Sequence, residues 1–155
     1  MSAVRRIFVE KKPGFAVETE GVYSDLKHHL GITDLTDVRI LHRYDISGIS
    51  DAEFEASLHT IFSEPPVDVV YLEQFAVPAG AKVFAMEYLP GQYDQRADWA
   101  AQSVQILTQK ERPEIRTAKV LVLGGQLSEA DLTKIKEYCI NPVEAREALL
   151  EKPSS

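Results

Sequence analysis

A chain of 155 residues that is 45% apolar and 26% charged can enclose one sizeable core, and it has the make-up of a globular protein rather than a disordered one. Its net charge of −7 repels phosphate backbones, so nucleic acid is not an expected partner. Membrane is not expected either, because no uninterrupted apolar run approaches the ~20 residues of a spanning helix.

At the N-terminus two arginines, Arg5 and Arg6, are followed by Glu10, Lys11 and Lys12, where a signal peptide would carry its apolar segment. The lone Cys139, flanked by Tyr138 and Ile140, has no internal disulfide partner. It reads as a small buried hydrophobe in a protein of the reducing cytoplasm.

In chain order, a short β-branched strand is expected over 6–10, stopped by Pro13-Gly14. Val22, Leu26 and Leu30 lie at helical spacing and predict a helix over 17–30 that ends at Gly31, with Gly21 marking a close approach of a neighbour. A second strand is expected over 38–44, with Val38, Ile40, His42 and Tyr44 on one face. Ser50-Asp51-Ala52-Glu53 then has the form of a capping box, Ile49 and Phe54 form a hydrophobic staple, and Phe54, Leu58, Ile61 and Phe62 make the stripe of a second helix. Pro65-Pro66 ends it before a third strand over 67–72.

After a linker over 74–80 the order recurs. A strand over 81–88 leads into Leu89-Pro90-Gly91, and Ala97, Ala100, Ala101, Val104 and Leu107 give a helix with a small-residue face. A strand over 118–123 closes on Gly124-Gly125, read as a hairpin or cap-entry loop. Ser128 to Asp131 repeats the capping box, and Asn141-Pro142-Val143 stands where Pro65-Pro66-Val67 stood. Pro13 and Pro90 are 77 positions apart, and the residues before the two caps, Ile49 and Leu127, are 78 apart. Landmarks recurring in one order at nearly one spacing predict an internal duplication, with repeat 1 over 4–73 and repeat 2 over 81–150. By this logic a strand is due near Val143, although residues 144–150 have a helical composition. The tail over 151–155 reads as a polar linker.

The fold expected from this order is α+β in two layers. Two duplicated strand-helix-strand-helix-strand units pair their exposed edges as an intramolecular pseudo-dimer, so the isolated chain is expected to be a monomer.

Motifs of chemistry are sparse. His28, His29, His42 and His59 have no metal-ligand spacing and read as ordinary surface or half-buried histidines; Lys11-Lys12 reads as a solvated loop. No nucleophile elbow or phosphate-binding loop occurs, and no catalytic residue, metal site or cofactor is expected in this chain. One stretch is dense in hydrogen-bonding groups: Gln92, Tyr93, Asp94, Gln95, Arg96 and Asp98. Asp94 can cap the following helix and Arg96 can make a surface pair. The corresponding turn of the first half, residues 15–20, has no such cluster, which makes these six the candidate interface.

The runs VRRIFVEKKPG over 4–14, VFAMEYLPGQYDQRA over 83–97 and INPVEARE over 140–147 resemble the N-terminal region of phosphoribosylformylglycinamidine synthase, in its large single-chain clostridial form. The resemblance covers nearly the whole chain. It implies a region built like two fused copies of the small PurS-type subunit, bridging the synthetase and glutaminase parts of an ATP-dependent amidoligase of purine biosynthesis. In that family ATP, magnesium and the catalytic residues belong to the rest of the enzyme, so none is carried over to this chain. The alternative is a self-contained regulatory module that binds a small metabolite between two α+β halves.

Overall fold

The computed structural model describes residues 3–154, so expectations that fall on Met1, Ser2 and Ser155 lie outside the described residues. The strands are β1 (Arg5–Lys11), β2 (Leu35–Ser47), β3 (Asp68–Leu72), β4 (Lys82–Tyr88), β5 (Glu114–Gly125) and β6 (Ala145–Ala148). They form one antiparallel sheet in the order β3-β1-β2-β5-β4-β6. The helices are α1 (Val17–Ser24), continued by a π-helical turn over Asp25–His29, then α2 (Asp51–Leu58), α3 (Gln95–Thr108) and α4 (Glu129–Cys139). The α+β architecture is therefore as expected from the sequence.

The ladder registers carry a numerical regularity. Adding 77 to both members of Arg5↔Ile46 gives Lys82↔Leu123, and Val9↔His42 becomes Met86↔Lys119; both products are observed pairs. At the sheet edges Phe8↔Tyr71 becomes Ala85↔Ala148 and Lys11↔Asp68 becomes Tyr88↔Ala145, again observed pairs. The outer ladders of the two halves thus share one register. β2 and β5 meet between them along the longest ladder, from Leu35↔Gly125 to Ser47↔Glu114.

Alternation along the strands sends one set of side chains to the helical face. There Leu26 and Ile135 pack on Ile40, Phe84, Leu121 and Leu123, while Phe54, Leu58, Ala100 and Val104 pack on Ile7, Val9, Tyr44 and Ile46. Each cluster joins a helix of one half to a helix of the other: the α1 segment with α4, and α2 with α3. Both expected capping boxes are present, Ser50 with Glu53 and Ser128 with Asp131.

The opposite face is covered by irregular chain. Phe8, Leu41, Ala85, Val120 and Val122 form a third core there, overlaid by Phe75 and Ala81 of the 73–81 connection; the rings of Phe8 and Phe75 meet edge to face at 4.8 Å. The C-terminal residues lie over the same face. Arg6 holds Asp45 through two bonds of 2.7 and 2.9 Å and donates to the carbonyls of Leu150 (2.7 Å) and Glu151 (3.3 Å), while Arg43 donates to the carbonyl of Leu149 at 2.9 Å. Lys152 pairs with Glu73 at 2.5 Å. Residues 149–152 therefore form a strap, held at Leu149, Leu150 and Glu151 by buried arginines and at Lys152 by Glu73.

Other expectations need adjustment. The helix over 17–30 loses α geometry at Asp25, although it stops as foreseen at Gly31, whose φ is +76°. Gly21 has open space where a Cβ would stand, so it marks no close approach. β2 and β5 run several residues beyond 38–44 and 118–123, because the two strands pair with each other over their whole length, from Leu35↔Gly125 to Ser47↔Glu114. Residues 145–148 are a strand, since cross-strand pairing with β4 outweighs their helical composition.

Candidate functional site

The turn from β4 into α3 is held at both ends. Leu89 donates its backbone N–H to the carbonyl of Glu144, Gln92 donates to that of Leu89, and Gly91 takes a φ of +89°. Asp94 caps α3 by accepting from the N–H of Ala97 at 3.0 Å, and its other oxygen accepts from the hydroxyl of Thr117 at 2.6 Å. The cap expected of Asp94 is thus present, whereas the surface ion pair expected of Arg96 is not: Arg96 donates at 3.3 Å to the hydroxyl of Tyr44 and meets no carboxylate among the described residues.

The six candidate residues do not act as one group. Asp94 and Arg96 border a cavity of about 290 Å³ between the start of α3, the end of β4, the middle of β5 and the passage from α4 to β6. Gln92, Tyr93, Asp94 and Asp98 border a shallower depression of about 480 Å³ on the other side of the turn. There Tyr93 donates to Asp98 at 2.7 Å, and Arg112 and Gln102 donate to the same carboxylate at 2.5 and 3.1 Å. The bond from Tyr93, then that from Arg112, holds the Asp98 carboxyl below its usual range, and the same bond raises the Tyr93 phenol. Gln95 is exposed and borders neither hollow.

At the floor of the smaller cavity lies a cluster that motif reading did not find. His42 and Lys119 are directly opposite one another across the central β2–β5 ladder, on the helical face, and Glu18 reaches down from α1 between them. Glu18 stands 3.5 Å from His42 and 2.5 Å from Lys119. The hydrogen bond from His42 is the largest influence on its carboxyl and, with Lys119, outweighs partial burial to bring the pKa down to about 2. The signal for this cluster was present in the sequence: His42 interrupts the apolar face of Val38, Ile40 and Tyr44, and Lys119 stands 77 positions later.

Cys139 also lines the cavity. Burial pushes its thiol up to about 11 despite the nearby Lys119, so it is a packed neutral thiol rather than a nucleophile. Glu87 is neutralised by Arg146 at 2.8 Å. Among the described residues no group of three or more His, Cys, Asp or Glu side chains is placed to hold a metal ion, and no helix is long and apolar enough to cross a membrane.

No family model, curated protein or solved structure matches the chain. The structure offers a rigid sheet, a capped turn with two polar hollows, and an exposed apolar strip on α3 formed by Trp99 and Ile106, which are 55% and 72% exposed. His59 stands 3.3 Å from the hydroxyl of Ser63, but that hydroxyl is buried and donates to the carbonyl of Leu58 at 2.8 Å, so its proton is not directed at the imidazole.

Proposed function

We propose that this chain is the N-terminal scaffold domain of a phosphoribosylformylglycinamidine synthase, a duplicated PurS-like pseudo-dimer that bridges the synthetase and glutaminase parts and is not catalytic alone. The observation that supports the reading best is the displacement of 77 shared by the outer ladders of both halves. Two copies of one unit, each with β2 or β5 as its open edge, account for that regularity, and a fused pair of small subunits is what the sequence resemblance leads one to expect. Joining those edges within one chain also removes the main reason for a free unit to self-associate, which supports a monomer in isolation.

In this reading the α3 entry and the outer face of α3 supply the docking surface. Tyr93, Trp99 and Ile106 offer apolar area, ringed by Arg96, Asp98 and Arg112. ATP, magnesium and the ammonia-producing glutaminase belong to the partner domains, and the cytoplasm is the expected compartment.

Complementation in trans tests the proposal. A synthase lacking its N-terminal region is mixed with this chain, and glutamine-dependent amidine formation is followed. The expected result is activity only with the chain added, weakened by Trp99→Ala. Equal activity from a folded truncated enzyme without it would refute the scaffold role.

A further inference from the structure

The charges around the 290 Å³ cavity are compensated internally with two exceptions. Glu18 is held by His42 and Lys119 and Asp94 by the N–H of Ala97 and the hydroxyl of Thr117, while the Glu87 side chain lies on the opposite face of β4, where it pairs with Arg146. Arg96 keeps a single long bond to a neutral hydroxyl, and the Glu144 side chain has neither an ion pair nor a hydrogen bond among the described residues. One guanidinium with no anionic partner and one carboxylate with no cationic partner among the described residues thus border the same hollow, each exposed enough to reach a ligand.

We propose that this cavity binds a free α-amino acid, with its carboxylate on Arg96 and its ammonium on Glu144. The class follows from charge and size. A simple anion would meet Glu144 along with Glu18 and Asp94, and a simple amine would meet Arg96; a zwitterion satisfies both. A guanidinium is also the side chain best shaped for a carboxylate. The volume lies at the lower limit of ligand pockets, which fits a molecule of about ten non-hydrogen atoms. Met86 and Tyr88 supply wall for the ligand's side chain. The cavity spans α3, α4, β4 and β5, so its occupant ties the entry of α3 to the end of α4. The inference stands apart from the scaffold reading, since it needs no partner domain.

The test is calorimetric titration of the full chain with the standard L-α-amino acids at millimolar concentration. The tightest binder is then compared with its decarboxylated amine and its deaminated acid. At least one amino acid is expected to bind, with each analogue about tenfold weaker or worse, because each loses one charged hydrogen-bonding partner. Arg96→Gln and Glu144→Gln are expected to weaken binding by about tenfold or more each, and both chains should fold, as neither side chain is buried. Lys134→Gln, an equal charge change on the exposed side of α4, should leave it unaltered. Absence of heat across the panel, an amine or acid that binds as tightly as the zwitterion, or wild-type affinity in both variants would overturn the proposal.

Discussion

Replacing Asp45 with asparagine tests the second face of the sheet. Arg6 and Asp45 are opposite each other in the β1–β2 ladder, and their side chains are only 4% and 9% exposed. The substitution removes the negative charge but leaves Arg6 in place, with Arg43 two residues along β2 and also buried. Burial and the neighbouring Arg6 already push Arg43 below the ordinary arginine value, while Asp45 pulls the other way. Without Asp45, two desolvated cations share one face, with Glu87 left to oppose Arg43 and the Glu73 carboxylate at the backbone of Arg6. Stranding one partner of a buried pair costs about 3–5 kcal/mol, a large part of the ~5–15 kcal/mol that holds an ordinary domain folded.

Urea unfolding followed by far-ultraviolet circular dichroism reads this loss. Fluorescence is the poorer probe because Trp99, the sole tryptophan, is more than half exposed. Glu114→Gln supplies the surface comparison: its pair with Arg116 is well exposed, and the expected change is below about 1 kcal/mol. Proteolytic cleavage within 149–152 should be faster in Asp45→Asn, since the arginines that hold those carbonyls lose their anchor. A loss no larger than that of Glu114→Gln would refute the reasoning, and the strap would then rest on backbone shape rather than on buried charge.

Glu18 gives a prediction in pH. Its folded pKa of about 2 lies below the free value of 4.5, so its contribution is present above pH 4.5 and is lost as pH falls toward 2. The side chain is 47% exposed, so solvent screening limits the contribution to about 1 kcal/mol or less. Glu18→Gln should flatten the acid limb of the stability curve, and an unchanged limb would count against the pairing with His42 and Lys119. Cys139, with its thiol raised to about 11, should react with iodoacetamide at pH 8 far more slowly in the native chain than in urea; equal rates would contradict its burial. Gly125→Ala meets both a φ of +113° and the carbonyl oxygen of Asp34, 2.0 Å from where the new Cβ would stand. We expect a loss of more than ~2 kcal/mol, and a thermal midpoint within a degree or two of the parent would show that the loop yields freely.

Local signals carried most of the fold. The serine caps, the prolines and Gly31 act through bonds and dihedral angles within a few residues, so their effect is written where they stand. The second buried face was hidden for the opposite reason. Arg6, Arg43 and Asp45 look solvated until strands from both ends of the chain and the strap over 149–152 come together around them. β6 was equally obscure, because its strand state comes from pairing with β4 rather than from Ala145 to Ala148 themselves. In the site, Asp94 was legible as a cap, whereas the link from Arg96 to Tyr44 and the cluster of Glu18, His42 and Lys119 unite residues far apart in sequence.

The central ladder has a kinetic consequence. Within each half the first two strands close loops of moderate length: Glu10 pairs with Leu41, 31 positions away, and Met86 with Lys119, 33 away. The seam is more demanding, since its shortest closure, Ser47 to Glu114, spans 67 positions and its longest, Leu35 to Gly125, spans 90. Loop entropy therefore favours two half-sheets that form early and a seam that zips last. Until it does, each half exposes a full strand edge, and two molecules emerging side by side can close each other's seams instead of their own. The 73–81 connection, laid across the second face with Phe75 on Phe8, shortens that interval by keeping the two halves of one chain together.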